Sequence, residues 1–156
     1  MDHNKIYITK ERKKELEIEL EQLVSVERTK IAKELESAKE LGDLKENAEY
    51  HQAREDQAFL EERIRVIQYN LKEGEIITGG SKSEVTIGAF VTIAKKGSSS
   101  KNEYQIVGSD EADPSAGKLS FDSPLVSAML GKVEGEFFSF ETPGGDMVEY
   151  KVVGLK

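Results

Sequence analysis

The chain has 156 residues, a length that suits one domain or two small ones. Its 22 basic and 30 acidic side chains leave a net charge of −8, and a third of the residues are charged, as in a soluble protein with a modest core. The absence of cysteine excludes disulfides, thiolate catalysis and cysteine-held metal clusters, and net acidity argues against a general nucleic-acid binder, so any contact with RNA or DNA has to be local or arranged by a partner that supplies positive charge. No apolar run approaches the roughly 18 residues that cross a membrane, and MDHNKIYITKERKK lacks the apolar stretch of a secretory signal. A cytoplasmic protein with no membrane partner is expected.

Composition shifts near residue 75. Eleven of 13 glycines and all three prolines lie beyond it, and residues 1–75 carry most of the charge, 14 bases and 19 acids. In chain order, Thr9 is placed to cap a helix that starts at Lys10, with Glu11 in the first turn where a negative charge suits the helix dipole. Apolar positions follow at helical spacing: Leu16, Leu20, Val24, Ile31, Leu35, Ala38 and Leu41, with Gly42 as the stop. A second helix is expected from about Leu44, with Tyr50, Ala53, Leu60, Ile64, Ile67 and Leu71 in heptad register, Gln57 in the gap and Gly74 at the end. Two such stripes joined by a short turn meet as an antiparallel coiled-coil hairpin. Each arm of roughly 30 residues spans about 45 Å, long enough to project as a finger.

The second half alternates like strands over 84–96, 101–109, 135–143 and 146–155, with Gly144-Gly145 as a tight turn between the last two. Between them, Ser123 as cap, Pro124 at the first helical position and Gly131 past the end mark one short helix. The expected fold class is α+β: a coiled-coil hairpin over 1–75, then a small antiparallel sheet with one packed helix over 76–156.

The turn of the hairpin, residues 40–49, gathers four acids and one base. Asp43 and Glu46 have the spacing of a capping box, in which each would satisfy a free N–H of the second helix. The same pair offers oxygen ligands to a hard cation such as Mg²⁺, though two carboxylates need further ligands from a partner. His3 and His51 lack a metal-ligand spacing with each other, and His51 reads as an exposed helical histidine. No nucleophile triad or phosphate-binding glycine loop stands out.

The string GDLKENAEYHQAREDQAFLEERI (42–64) closely resembles a signature of the Gre (GreA/GreB) family of bacterial transcript-cleavage factors. YQIVGSDEADPSAGKLSFDSPLVSAMLGK (104–132) resembles that family's second signature, and the likeness covers essentially the whole chain in the family's order. The resemblance implies an FKBP-like globular half that docks on RNA polymerase, and a coiled coil that enters its secondary channel when the enzyme has backtracked. It further implies that Asp43 and Glu46 hold a weakly bound Mg²⁺ beside the polymerase's own metal, following two-metal hydrolysis of a phosphodiester. Cleavage of the nascent RNA 3′ end then belongs to the complex, and the chain itself is not an enzyme. Arg54 matches a basic residue credited with touching the extruded RNA, against the alternative of a solvated helix charge. Asn47, Glu49 and Tyr50 belong to the signature as residues that shape the tip, with packing the favoured role for Tyr50. Asp110, Glu111, Asp113, Ser123 and Pro124 fall in the second signature, which implies a docking surface, against the alternative of turn acids and a capped helix. A monomer is expected, because the hairpin buries its own stripe.

Three other readings stand beside this one. The first is a homologue that enters the same channel without promoting cleavage. The others are a peptidyl-prolyl isomerase suggested by fold analogy, and a coiled-coil adaptor whose tip acids are caps.

Overall fold

The computed structural model describes residues 5–156; His3 lies outside them. It is an α+β chain in two compact units: Lys13–Glu73, and Gly74–Lys156 together with the described residues before Lys13. The expected division after residue 75 therefore falls two residues past the observed one, and the amino-terminal strand and first helical turn go with the globular unit. The cause is a ladder that residue periodicity does not reveal: β1 (Tyr7–Thr9) pairs in parallel with β2 (Glu75–Ile77).

The helical unit is a hairpin. Thr9 Oγ1 accepts from the backbone N–H of Arg12 at 3.1 Å and so caps α1 (Lys10–Gln22). A π-helical segment, Leu23–Glu27, separates α1 from α2 (Arg28–Glu40), and the Arg28 N–H reaches back five residues to the Leu23 carbonyl. The extra residue in that turn rotates the stripe, which leaves Val24 and Val26 exposed although the spacing places Val24 in the seam. Ala38 on α2 and Ala53, Leu60, Ile64 and Ile67 on α3 (Ala48–Glu73) are buried, as the heptad pattern requires. Forked ion pairs brace the hairpin: Arg28 with Glu61 at 2.8 and 2.7 Å, and Arg63 with Glu19 at 2.6 and 2.8 Å. The Glu61 carboxylate raises the Arg28 pKa above its ordinary value, chiefly through their hydrogen bond.

The globular unit carries a five-stranded sheet in the order β5-β4-β3-β7-β6. Its strands are β3 (Phe90–Lys95), β4 (Lys101–Val107), β5 (Lys118–Ser120), β6 (Phe137–Glu141) and β7 (Met147–Leu155). All pairs are antiparallel except β4–β5, which is parallel. The strand expected from residue 84 begins only at Phe90, because Ala89 N–H closes a turn on Thr86 O and Gly88 sits at φ 84°. The strand expected through Ser109 stops at Val107 and passes into a 3₁₀ turn, Ser109–Glu111. The short helix α4 (Pro124–Met129) forms as expected, with Ser123 Oγ accepting from Val126 N–H at 3.3 Å. Val91, Ile93, Ile106, Phe121, Val126, Met129, Phe138 and Val152 make up most of the buried core on one face of the sheet. Tyr7 closes one side of this core edge-to-face on Phe121, with ring centroids 5.1 Å apart.

Candidate functional site at the hairpin turn

The loop between α2 and α3 is longer than a capping box requires. Leu41 ends α2, Gly42 takes φ 118°, and the chain runs without regular structure to Asn47. Asp43 Oδ1 accepts from the Lys45 N–H at 3.0 Å, an Asx turn that spans two residues and starts no helix. α3 begins at Ala48, four residues later than the expected Leu44. Its cap is Asn47, whose Oδ1 accepts from Tyr50 N–H at 3.0 Å. The amide of the same side chain donates to the Ala38 carbonyl at 2.6 Å, tying the last turn of α2 to the first of α3. With both ends of its amide engaged, Asn47 fixes the helix start and leaves Asp43 and Glu46 outside it. The capping-box alternative for the two acids is thereby removed.

Asp43, Glu46 and Glu49 line one open hollow of about 380 Å³, with Leu41, Asn47 and Ala48 as its other walls. Asp43 and Glu46 are exposed, and Glu46 makes no hydrogen bond or ion pair with any described residue. Carboxylate oxygens around an open hollow are the donor type that hard cations prefer. Among the described residues no group of three or more histidine, aspartate or glutamate side chains is close enough to hold a metal alone. Two or three exposed carboxylates on an open hollow do not make a closed metal cage. A second hollow, of about 480 Å³, lies over the small side chains Ala38 and Ala53, with Lys30, Lys33 and Glu49 among its walls.

Two neighbours brace the turn. The His51 ring Nε2 lies 3.1 Å from the Lys45 carbonyl, which can only accept, so that nitrogen donates. Tyr50 meets the His51 ring edge-on at 5.8 Å, and its hydroxyl accepts from Arg54 Nη1 at 3.4 Å. Arg54 itself is exposed. The bond from His51 to the loop joins residues six apart across an irregular segment, so helical spacing carries no signal of it.

The second signature is distributed differently from its appearance in the sequence. Glu111, with a side chain 5% exposed, accepts from Thr9 Oγ1 at 2.8 and 2.9 Å, from Thr9 N–H at 3.3 Å and from Lys118 Nζ at 2.9 Å. Asp110 pairs with Arg12 at 3.1 Å. Asp113 Oδ1 accepts from Ser115 Oγ and from the Ser115 and Ala116 N–H groups. The Ser115 hydroxyl, followed by the Ala116 N–H, holds the Asp113 pKa below the usual carboxylate range. Three of the expected docking acids thus bind this chain's own groups, while Asp113 and Pro124 remain exposed. The link from Thr9 to Glu111 spans 102 residues and has no local sequence signal.

Comparison with known proteins bears on the whole chain. Residues 6–76 match the family model "Transcription elongation factor, N-terminal", and residues 80–156 match "Transcription elongation factor, GreA/GreB, C-term". The Bacillus cereus protein named transcription elongation factor GreA is 41% identical over the full length of both chains. Its namesake in Pseudomonas aeruginosa is 44% identical over 90% of each. Among solved structures, the GreA factor homolog 1 (Gfh1) protein of Thermus thermophilus is 26% identical, covering 98% of this chain and 99% of its own, with a TM-score of 0.44. With both halves matched in order, the chain belongs to the GreA/GreB family of transcription elongation factors.

Proposed function

We propose that this elongation factor binds bacterial RNA polymerase, enters its secondary channel with the hairpin turn, and stimulates cleavage of the RNA 3′ end in backtracked complexes. The observation that carries this reading is the pair Asp43 and Glu46: both are exposed on one hollow, and neither caps a helix. Exposed carboxylates that cap no helix, at the turn of a long hairpin, are free to act on a partner's chemistry. A Mg²⁺ ion held there would supply Lewis acidity to the water and the phosphodiester. Asp43 and Glu46 would hold it as oxygen ligands, and either carboxylate can accept a proton from an attacking water. Asn47 and His51 keep the loop in place, Glu49 lends a third carboxylate to the hollow, and Tyr50 orients Arg54, which is the candidate for contact with extruded RNA.

Two carboxylates bind a cation weakly, so the hydrolytic site is completed by the polymerase and the chain alone is not an enzyme. Pro124 and Asp113 offer exposed docking positions on the globular unit. Ser123 shapes that surface through its cap on α4, and Asp110 and Glu111 through their internal bonds. No described helix is long and apolar enough to cross a membrane. A cytoplasmic monomer partnered by polymerase is the corresponding assignment.

A halted, backtracked transcription complex supplied with Mg²⁺ tests the reading. Short 3′ RNA fragments should appear far faster with polymerase and this chain together than with polymerase alone. Tight binding without fragment release would instead identify a channel-entering homologue that regulates polymerase without cleavage, and release by the chain alone would make it a nuclease.

A further inference from the structure

The outer face of the globular sheet carries a feature that the hairpin turn does not explain. Register across four strands places Phe137 of β6, Lys151 of β7, Ala94 of β3 and Lys101 of β4 side by side in one row. Their chain neighbours Phe138, Val152 and Ile93 are buried, so alternation turns this row away from the core. Phe137 is 49% exposed, and the ammonium groups of Lys96 and Lys151 lie 5.8 and 5.5 Å from its ring centroid. The small Ala94 between Lys151 and Lys101 leaves the face low at that point. At the spacing of neighbouring strands the two lysines stand roughly 10 Å apart.

Charge sets this row apart from the rest of the chain. Neither Lys101 nor Lys151 has a carboxylate partner among the described residues. The acids nearest the row on adjoining positions are already occupied, Glu149 by Lys96 and Glu103 by Lys156. In a protein of net charge −8, an open sheet face with cations on either side of a small residue and an exposed ring beside them is a local inversion. Sheet faces that present cations and an aromatic ring take single-stranded nucleic acid: the lysines meet successive phosphates and the ring meets a base. An acidic peptide would use the charges but gain little from the ring.

We infer that the row Phe137–Lys151–Ala94–Lys101, with Lys96 alongside, is a binding face for single-stranded RNA, independent of the acidic hairpin turn. Recognition is by backbone charge and stacking, without base-edge contacts, and so without sequence preference.

Fluorescence anisotropy of the full chain with a labelled 12-nucleotide single-stranded RNA reads this directly. Two phosphate contacts, at Lys101 and Lys151, give a salt slope of about −1.4, so affinity should fall roughly sevenfold between 50 and 200 mM salt. Lys101→Glu with Lys151→Glu should weaken binding at least tenfold, Phe137→Ala several-fold, and Asp43→Asn not at all. Amide shifts of Phe137, Lys151, Ala94 and Lys101 should move when RNA is added to the unaltered chain, a readout that needs no variant to fold. No saturable binding at 50 mM salt, shifts confined to other residues, or equal competition by an oligoglutamate peptide of the same charge would overturn the inference.

Discussion

Asn47 has two roles for one amide, capping α3 through Oδ1 and bonding the Ala38 carbonyl through Nδ2. Asn47→Ala should lose a cap, about 1 kcal/mol, and a hydrogen bond of similar worth, so urea unfolding should show about 2 kcal/mol less stability. Asn47→Asp keeps the cap oxygen and loses the donor, and should fall between the two. Asp113 gives a prediction in pH. Its folded-state pKa lies below the unfolded one, so its bonds to Ser115 and Ala116 contribute stability above the unfolded value of about 3.9 and lose it as pH falls through the folded value. Carboxyl NMR titration of Asp113 should show the depressed midpoint, and Ser115→Ala should raise it towards the ordinary range. A midpoint unmoved by Ser115→Ala would place the cause elsewhere.

At the level of elements, helices and long strands are legible in the sequence because their signals repeat: heptads on α3, Thr9 before α1, Ser123-Pro124 before α4, and two glycines between β6 and β7. What stays hidden is either short or distant. β1, β2 and β5 have three residues each, too few for alternation to register, and β1 and β2 pair across 68 residues. The expected start of α3 falls too early because Asp43 and Asn47 are both good caps on sequence; the bond from Asn47 to Ala38 decides between them, and only the folded hairpin supplies it. The acid pair at the turn is visible as spacing, but that neither acid caps α3 is not. Gly108, which follows β4, tests the hidden β1 contact. A Cβ there would lie 1.7 Å from the Tyr7 carbonyl oxygen, so Gly108→Ala must displace backbone. It should cost about 1–3 kcal/mol, seen as a lower melting temperature. Gly97→Ala, with open space around it and only a left-handed φ of 82° to strain it, should cost less.

Across the whole molecule, charge is divided among three regions, with exposed acids that cap no helix at the hairpin turn, acids bound internally in the 109–113 loop, and cations on one sheet face. The central claim is that Asp43 and Glu46 serve a partner's reaction and not this chain's stability. Asp43→Asn and Glu46→Gln should each leave the melting temperature nearly unchanged, because no helix cap is lost with them. The most direct measurement sets fragment release from a backtracked polymerase beside polymerase affinity for the same two variants. The account predicts release slowed roughly a hundredfold with affinity intact. Release at the unaltered rate, or affinity lost in step with it, would contradict it.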